Sequence, residues 1–357
     1  MDSLLDLTRE KSRTVFGETT DIISFSALAG DASSRRYYRA KLSGSNSPLS
    51  VIIMQLPAGS SLPLSSEELA VFKEPPRELP FLNLHRFLSH IGANVPALYG
   101  HWEKQGILML EDLGDSALWD RVQGIPESET LRWYEKALDQ LLRLQIRGTE
   151  QRDDNCIAFQ QRFDFRLYMW EFDHFLEYGL QKRPDLRVAP ALARELREIF
   201  SDMAERLDRA PACLNHRDYH SWNLMIHRGE VVLIDFQDAL LAPPQYDLAS
   251  LLNDRITDSI VKPHLEAQLL SYYMQKSAEQ GKPVADRDQF LETYLLSAVQ
   301  RDFKVVGRFH YLDLIKGKTA YKKFIPPTVR RLKRNLQRLP QWAHLIPLLA
   351  EHFEEMR

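Results

Sequence analysis

Three oxygen-bearing side chains in the second half of the chain have the types and spacing that phosphoryl transfer requires. Asp218 and Asn223 lie five positions apart in the polar segment LNHRDYHSWNLMIH, and Asp235 follows twelve positions later, after the apolar run VVLI. A transferring phosphoryl group needs a carboxylate beside the attacking hydroxyl and oxygen ligands that hold Mg²⁺ against the phosphates. We therefore predict that Asp218 is the catalytic base and that Asn223 and Asp235 bind the metal. The alternative is a turn whose Asp and Asn only cap backbone groups.

The elements before these residues have the pattern of a small antiparallel sheet. Residues 22–56 alternate short β-rich runs with turn clusters, which predicts three strands. A helix follows in LPFLNLHRFLSHIG, where apolar residues recur at helical spacing, and the runs ALYGHW and GILMLEDLG predict two more strands.

The elements after residue 113 are mainly helical. A pattern of very short strands interrupts them around Gly229 and carries the polar segment between its strands. We predict an α+β protein of two lobes, with a β-rich lobe at residues 1–113 and a helical lobe at residues 114–357. Amphipathic spacing predicts helices at residues 129–145, 164–178, 190–207, 264–280 and 287–309.

Composition excludes several classes of protein. Apolar residues make up 44% of the chain and charged residues 27%, which is typical of a globular protein. The net charge of -3 gives no overall attraction to nucleic acid or to an anionic membrane. The two cysteines form neither a disulfide framework nor a metal-ligand pattern. Because the amino terminus lacks the apolar core of a signal peptide and no apolar run is long enough to span a bilayer, we expect a cytoplasmic protein.

The sequence resembles the superfamily of aminoglycoside phosphotransferases and choline kinases, which have a two-lobed, protein-kinase-like fold. The residues that carry the resemblance are LNHRDYHSWNLMI, VVLIDFQDALLAPPQYDLASLL and GILMLEDLG. Within this superfamily, GDASSRRYYRA, IDFQDA, QYDLASLLND and QRDFKVVGRF look like the anomeric kinases of N-acetylmuramate and N-acetylglucosamine in bacterial cell-wall recycling.

The resemblance implies a nucleotide site for ATP. It makes GDASSRRYYR the loop over the phosphates, with Gly30, Asp31, Ser33 and Ser34 as nucleotide-binding residues. Gly30 permits a tight turn, and the two serines and nearby amides can bind anionic oxygens. An ordinary hairpin turn is the alternative.

The resemblance also assigns LMLEDLG to the hinge, with the backbone of Glu111 and Leu113 facing adenine; an inert lobe connection is the alternative. Met54 lies near the position where protein kinases have a lysine that contacts the phosphates. We assign Arg36 to the nucleotide in its place, although strand alternation puts Arg35 and Arg39 on the opposite face.

The acceptor site is predicted from residues around the catalytic loop. His220, Asp238 and Arg301 are candidate substrate-binding residues together with Asp218. Residues 301–338 are locally basic, and Arg301, Lys304 or Arg308 could receive an anionic acceptor, although solvated helix faces give the same pattern. Asp247 opens a helix, where we expect its carboxylate to cap amides and brace the catalytic loop.

These observations predict an ATP- and Mg²⁺-dependent sugar kinase that acts as a monomer on a small-molecule substrate. The acceptor implied by the resemblance is the anomeric hydroxyl of N-acetylmuramate or N-acetylglucosamine. One alternative is a kinase of another hydroxylated metabolite or of an aminoglycoside. The other is a pseudokinase that binds nucleotide without catalysis, which the apolar Met54 would suit.

Overall fold

The computed structural model describes residues 2–28, 35–57, 76–254 and 257–357. Half of the predicted phosphate loop, residues 30–34 of 30–39, falls between the first two ranges. Gly30, Asp31, Ser33 and Ser34 therefore lie outside the described residues.

Within the described residues, five antiparallel strands form a sheet in the order β1-β2-β3-β5-β4. Helix α1 (Asp2–Phe16) precedes the sheet, and helix α2 (Pro80–His90) lies between β3 and β4 in the chain. The predicted sheet with one helix is confirmed. The strands are β1 (Asp21–Ala27), β2 (Arg36–Ser43), β3 (Ser50–Gln55), β4 (Leu98–Trp102) and β5 (Ile107–Glu111).

Helix α1 is an element that the sequence analysis does not predict. Its buried row consists of Leu4, Thr8 and Ser12, so only one of the three side chains is apolar. Leu7 and Phe16 also pack against the small core, so polar Thr8 and Ser12 interrupt an apolar side of the helix. The hydroxyl of Thr8 avoids an unpaired buried polar group by donating to the carbonyl of Leu4 at 2.7 Å.

The two faces of the sheet pack against different partners. Tyr38 and Ala40 of β2 and Val51 of β3 lie in a small core with Leu4 of α1. Met54 of β3 and Leu108 of β5 belong instead to the large core, which includes α2 and the helical part of the chain. Alternate residues of each strand thus face opposite layers, as the period of a strand requires.

The rest of the chain is mainly helical, as predicted. Residues before several helices have non-helical backbone and cap them; the carboxylate of Asp286, for example, accepts from the amides of Asp288 at 2.9 Å and Gln289 at 3.0 Å. The long helices are α3 (Glu127–Leu142), α4 (Phe165–His174), α5 (Pro190–Arg209), α6 (Pro244–Leu252), α7 (Pro263–Glu279), α8 (Arg287–Leu314) and α9 (Ile325–Gln337).

Two small antiparallel pairs interrupt the helices, which confirms the predicted hairpin region. Strand β6 (Cys213–Asn215) pairs with β9 (Leu240–Ala242), and β7 (Leu224–His227) pairs with β8 (Glu230–Leu233). The β7–β8 hairpin is tied to the amino-terminal part, since Leu233 N donates to Asn94 O at 2.8 Å. Among the described residues, no helix combines the length and apolar character needed to cross a bilayer.

Candidate active site

The segment that carries Asp218 and Asn223 joins β6 to β7, and Asp235 follows β8. Because β7 and β8 form an antiparallel hairpin, the chain returns to the loop after β8. The amide of Ile234 donates to the carbonyl of Asn223 at 3.1 Å. The hairpin thereby brings the residue before Asp235 beside Asn223.

Two residues of this region have a left-handed backbone. Arg217 has a φ of 78° and Asp235 a φ of 62°. For a residue other than glycine, this backbone conformation costs on the order of 1–3 kcal/mol, so the surrounding structure must hold the residue in place. Strain of this kind concentrates at functional sites.

Asp247 supplies part of this restraint from the first turn of α6. Its buried carboxylate accepts from the amide of His216 at 2.5 Å and from the amide of Arg217 at 2.9 Å. Burial raises the pKa of Asp247 to about 7, although its hydrogen bonds from these amides act against that rise. This is the bracing role that the sequence analysis expects of Asp247.

His216 connects the catalytic loop to the chain segment just before Asp235. Its Nε2 lies 2.9 Å from the carbonyl oxygen of Ile234, and burial lowers its pKa to about 4. The ring is therefore neutral at pH 7. Because a carbonyl can only accept, Nε2 must carry the proton and donate. This bond joins the catalytic loop to the residue before Asp235.

Asn223 and Asp235 have the donor atoms that Mg²⁺ prefers. The Nδ2 of Asn223 donates to the carbonyl of Asp218 at 3.0 Å, which commits the amide nitrogen to the loop and leaves Oδ1 for a cation. Asp235 adds a carboxylate, one oxygen of which accepts from Gln237 at 2.8 Å. Gln237 Nε2 also lies 3.2 Å from Asp238, so it links the two acids.

The described residues contain no cluster of three or more His, Cys, Asp or Glu side chains suited to a metal ion. A magnesium site beside a nucleotide does not need such a cluster, because phosphate oxygens and water complete its six ligands. One carboxylate and one amide oxygen therefore fit the ion.

Asp218 is surrounded by positive charge. Its side chain is 37% exposed, and one of its oxygens lies 3.8 Å from the Nη2 of Arg301 on α8. Burial would raise the pKa of Asp218, but Lys304, Arg301 and Arg217 outweigh it and hold the pKa far below its ordinary value. Asp218 is thus ionised at every physiological pH.

Arg301, the predicted acceptor residue, lies beside Asp218 and also holds the loop. Its Nη1 donates to the carbonyl of Arg217 at 2.8 Å, and its guanidinium lies 4.8 Å from the ring centre of Tyr246. His220 lies at the other side of the loop, where its Nε2 is 3.4 Å from the Nδ2 of Asn223. The structure therefore places Arg301 beside Asp218 and His220 beside Asn223.

The structure does not bring Arg36 to this group. Its side chain is exposed and alternates with Tyr37 along β2, on the face that includes Tyr38 and Ala40. The neighbouring Arg35 is buried and hydrogen-bonds to Tyr37. Burial raises the pKa of Tyr37, Arg35 opposes the rise and the negative charge of Asp235 adds to it. Arg35, and not the predicted Arg36, therefore shares a strand face with Tyr37, the residue on which Asp235 acts.

Arg39 shares the face of Arg35 but is bound to the hinge region. Its guanidinium contacts Asp112 at 2.7 Å and Asp115 at 2.8 Å. Ser50 donates to the same oxygen, Oδ2 of Asp112, at 2.6 Å. Strand alternation alone allowed both Arg35 and Arg39 as phosphate ligands. The ion pairs with Asp112 and Asp115 instead bind Arg39 to the predicted hinge region.

The backbones of the two predicted hinge residues, Glu111 and Leu113, contact neighbouring parts of the chain. The amide of Glu111 donates to Ala97 O at 2.8 Å, which leaves its carbonyl as the group that could face adenine. The carbonyl of Leu113 lies 3.3 Å from the Nδ1 of His227, whose Nε2 lies 3.3 Å from Glu111 Oε1. His227 therefore connects the hinge to the hairpin that carries the candidate metal ligands.

Glu171 is a residue of this region that the sequence analysis does not single out. It lies within the aromatic helix α4, where its neighbours predict core packing, and its side chain is fully buried. Lys304 and Arg217 contact its carboxylate at 3.0 and 3.4 Å. The signal available in the sequence was an acidic residue at a position whose helical spacing predicts burial among aromatic side chains.

A cavity of about 740 Å³ is formed by a different set of residues from the candidate active site. Cys213, Pro244 and Tyr273 are among the residues that line it, and none of the predicted site residues does so.

Comparison with known proteins bears on this geometry. The model of a family described as "Phosphotransferase enzyme family" matches residues 24–298. An N-acetylmuramate/N-acetylglucosamine kinase of Neisseria meningitidis is 29% identical over 349 residues, which cover 95% of this chain and 93% of that protein.

Solved structures share the fold at low sequence identity. The choline kinase LicA from Streptococcus pneumoniae has a TM-score of 0.54 at 15% identity, with 95% of this chain and 100% of that chain covered. The aminoglycoside phosphotransferase APH(2'')-Ib, whose structure is ADP-bound, has a TM-score of 0.57 at 13% identity, with 91% and 97% covered. The predicted protein-kinase-like fold is thereby confirmed.

Proposed function

The chain belongs to the phosphotransferase enzyme family, and from that premise we propose that it is an ATP- and Mg²⁺-dependent kinase of an amino sugar. The observation that carries the proposal is the convergence of Asp218, Asn223 and the segment of Asp235 on one loop, joined by the bonds from Asn223 to Asp218 and from Ile234 to Asn223. The acceptor proposed is the anomeric hydroxyl of N-acetylmuramate or N-acetylglucosamine, because relatives that match most of the chain have that name.

The proposed reaction breaks the bond between the γ-phosphorus of ATP and the oxygen that bridges to the β-phosphate. A new bond joins the γ-phosphorus to the sugar oxygen, and the hydroxyl proton passes to Asp218. Asn223 Oδ1 and the Asp235 carboxylate would hold Mg²⁺, which neutralises charge on the phosphates. The residues of the chain supply position and charge, and no covalent enzyme intermediate is needed.

The low pKa of Asp218 defines what this residue does. A carboxylate held ionised by nearby cations is a weak base, since proton transfer is most efficient when the pKa lies near the working pH. Asp218 therefore acts mainly by accepting a hydrogen bond that aims the sugar oxygen at the phosphorus. In a loose transition state, little deprotonation is needed before the new bond forms.

The charges beside Asp218 favour a neutral or anionic acceptor over a polycation. Arg217 of the loop and Arg301 and Lys304 of α8 act on the Asp218 carboxylate. An aminoglycoside would bring further positive charge to this cluster, which costs Coulomb energy. The carboxylate of N-acetylmuramate would be attracted, with Arg301 as the nearest candidate to receive it.

The nucleotide is proposed to bind between the sheet and the hairpin. The Glu111 carbonyl and the Leu113 backbone would face adenine, and Arg35 would take the role near the phosphates for which Arg36 was predicted. Arg35 is hydrogen-bonded to Tyr37, and the charge of Asp235 acts on Tyr37, which supports this choice. Gly30, Asp31, Ser33 and Ser34 remain the proposed phosphate loop on the sequence resemblance.

The proposal is tested by incubating the purified protein with Mg-ATP and a panel of acceptors. The panel contains N-acetylmuramate, N-acetylglucosamine, an aminoglycoside and choline, and phosphorus NMR identifies the phosphorylated position. We expect sugar 1-phosphates from the N-acetyl sugars. Turnover of only the aminoglycoside or choline would favour the alternative kinases, and nucleotide binding without turnover of any acceptor would favour a pseudokinase.

A further inference from the structure

Glu171 is a buried acid that the reaction itself does not require. It lies on α4 with a side chain that is fully buried, and burial alone would raise its pKa. Lys304 and Arg217 outweigh that effect and keep the carboxylate ionised. A buried charge is retained only where its partners compensate the loss of water, so the arrangement around Glu171 is a specific one.

The partners of Glu171 come from the two elements that flank Asp218. Lys304 Nζ lies 3.0 Å and Arg217 Nη2 lies 3.4 Å from its Oε1, while Gln300 Nε2 donates to Oε2 at 2.7 Å. Arg217 directly precedes Asp218 in the catalytic loop, and Gln300 and Lys304 lie on α8. Glu171 therefore joins the loop to the helix that carries the cations.

Lys304 is placed where two carboxylates compete for it. It follows Arg301 by three positions on α8, so the two side chains share a helical face, and Arg301 lies 3.8 Å from Asp218. Of the charged groups that act on Asp218, Lys304 has the strongest effect. Its ammonium nevertheless pairs with Glu171 at 3.0 Å.

We propose that Glu171 is a positioning residue that holds the ammonium group of Lys304 away from Asp218 and so keeps the Asp218 carboxylate open to the acceptor hydroxyl. The inference rests on the proposed kinase function. Three cations, Arg217, Arg301 and Lys304, share the two carboxylates of Glu171 and Asp218. The carboxylates that act on Lys304 are Glu171 and Asp218, so without Glu171 the flexible Lys304 would pair directly with Asp218.

The first test is Glu171→Gln, which keeps the shape of the side chain and removes its charge. Lys304 then closes on Asp218 and occupies the oxygen that should accept from the sugar. We expect kcat to fall by about 100-fold, as for a misplaced catalytic group, with the KM for ATP unchanged. A kcat equal to that of the wild type would overturn the proposal.

The second test adds Lys304→Met to Glu171→Gln. If Glu171 acts by restraining Lys304, removing the lysine abolishes the need for the restraint. We expect Lys304→Met alone to lose less activity than Glu171→Gln, and the double variant to match Lys304→Met within about twofold, the accuracy with which independent effects add. A double variant as inactive as Glu171→Gln would contradict the mechanism.

The matched control is Glu266→Gln on α7. Glu266 is also a buried acid hydrogen-bonded to α8, since Tyr294 donates to it at 2.7 Å, but its other partners are Asn253 and Arg338 and not the cations beside Asp218. We expect it to lower the melting temperature and to leave kcat unchanged. A loss of kcat in this control equal to that of Glu171→Gln would mean that any buried acid on this helix has the same effect.

A crystal structure of Glu171→Gln tests the same idea without turnover. Lys304 Nζ should lie within hydrogen-bonding distance of an Asp218 oxygen, and an ammonium left in its original position would refute the inference. Wild-type protein that phosphorylates no acceptor would count against the proposed function alone, because this structural result would still decide the role of Glu171.

Discussion

The guanidinium of Arg301 lies 3.8 Å from the carboxylate of Asp218. The same side chain donates to the carbonyl of Arg217 at 2.8 Å, so one residue of α8 holds the backbone of the catalytic loop and sets the charge around its base. One side chain therefore contributes both to the position of the loop and to the charge around Asp218.

Replacing Arg301 with Met should remove both effects. Hydrogen bonds to charged groups contribute about 1.5–3 kcal/mol, so we expect kcat/KM for the sugar to fall by about 10- to 100-fold. Arg301→Lys should lose less, because the charge is kept while the planar fork is lost. Steady-state kinetics of both variants check this order, and equal losses would show that charge is unimportant.

Asp218→Asn should abolish turnover while nucleotide binding remains. A carboxamide keeps one acceptor oxygen but has no charge and cannot take up the hydroxyl proton, so we expect kcat to fall by about 10²- to 10⁴-fold. Isothermal titration with an ATP analogue checks that the nucleotide site is intact. Turnover that survives this substitution would exclude Asp218 as the residue that receives the proton.

Asp247→Asn should loosen the catalytic loop. The carboxylate accepts from two amides, His216 N and Arg217 N, and a carboxamide can accept from only one while its NH₂ group faces the other. An unsatisfied buried amide costs about 1–3 kcal/mol. Urea unfolding should show this loss, and kcat should fall more than the KM for ATP rises.

Asp112→Asn should weaken the contact between the sheet and the hinge. Burial would raise the pKa of Asp112, but Ser50 and Arg39 bind its carboxylate and keep the pKa low. We expect the free energy of unfolding to fall by about 2 kcal/mol, the range for a hydrogen bond to a charged group. The exposed Asp115 is the matched control, and Asp115→Asn should have a much smaller effect on urea unfolding.

The stability of the protein should depend on pH through His310. Burial lowers the pKa of His310 from 6.5 to about 4, with Arg183 acting in the same direction. Between these values the unfolded chain binds a proton that the folded protein excludes, so acidification through this window lowers stability. His310→Gln should lose less stability than the wild type between pH 7 and pH 4.5 in urea titrations. An unchanged pH dependence would show that His310 is protonated in the folded state.

The sequence predicts the fold because its patterns are local. The period of the strands in residues 22–56 and the amphipathic spacing of helices such as α8 are visible without knowledge of packing. In helix α1 polar Thr8 and Ser12 lie buried among the apolar side chains and interrupt this spacing. The catalytic loop is equally readable, because Asp218 and Asn223 act within one short segment.

The partners of the loop were harder to predict because they come from distant parts of the chain. Arg301 and Arg217 are 84 positions apart, and Arg217 and Glu171 are 46 positions apart. Only folding brings such pairs together, so neither spacing nor composition identifies them. The choice between Arg35 and Arg36 stays a prediction, since alternation defines two faces without saying which one is turned towards Asp235.

The bond between Glu171 and Lys304 also bears on the order in which the molecule can mature during translation. The five strands of the sheet lie within residues 21–111 and can pair early, when the ribosome has released only the first third of the chain. The surroundings of Asp218, by contrast, stay unfinished until the ribosome has released α8 with Lys304. A nascent chain that stalls before this point would have its catalytic carboxylate without the cations that govern it.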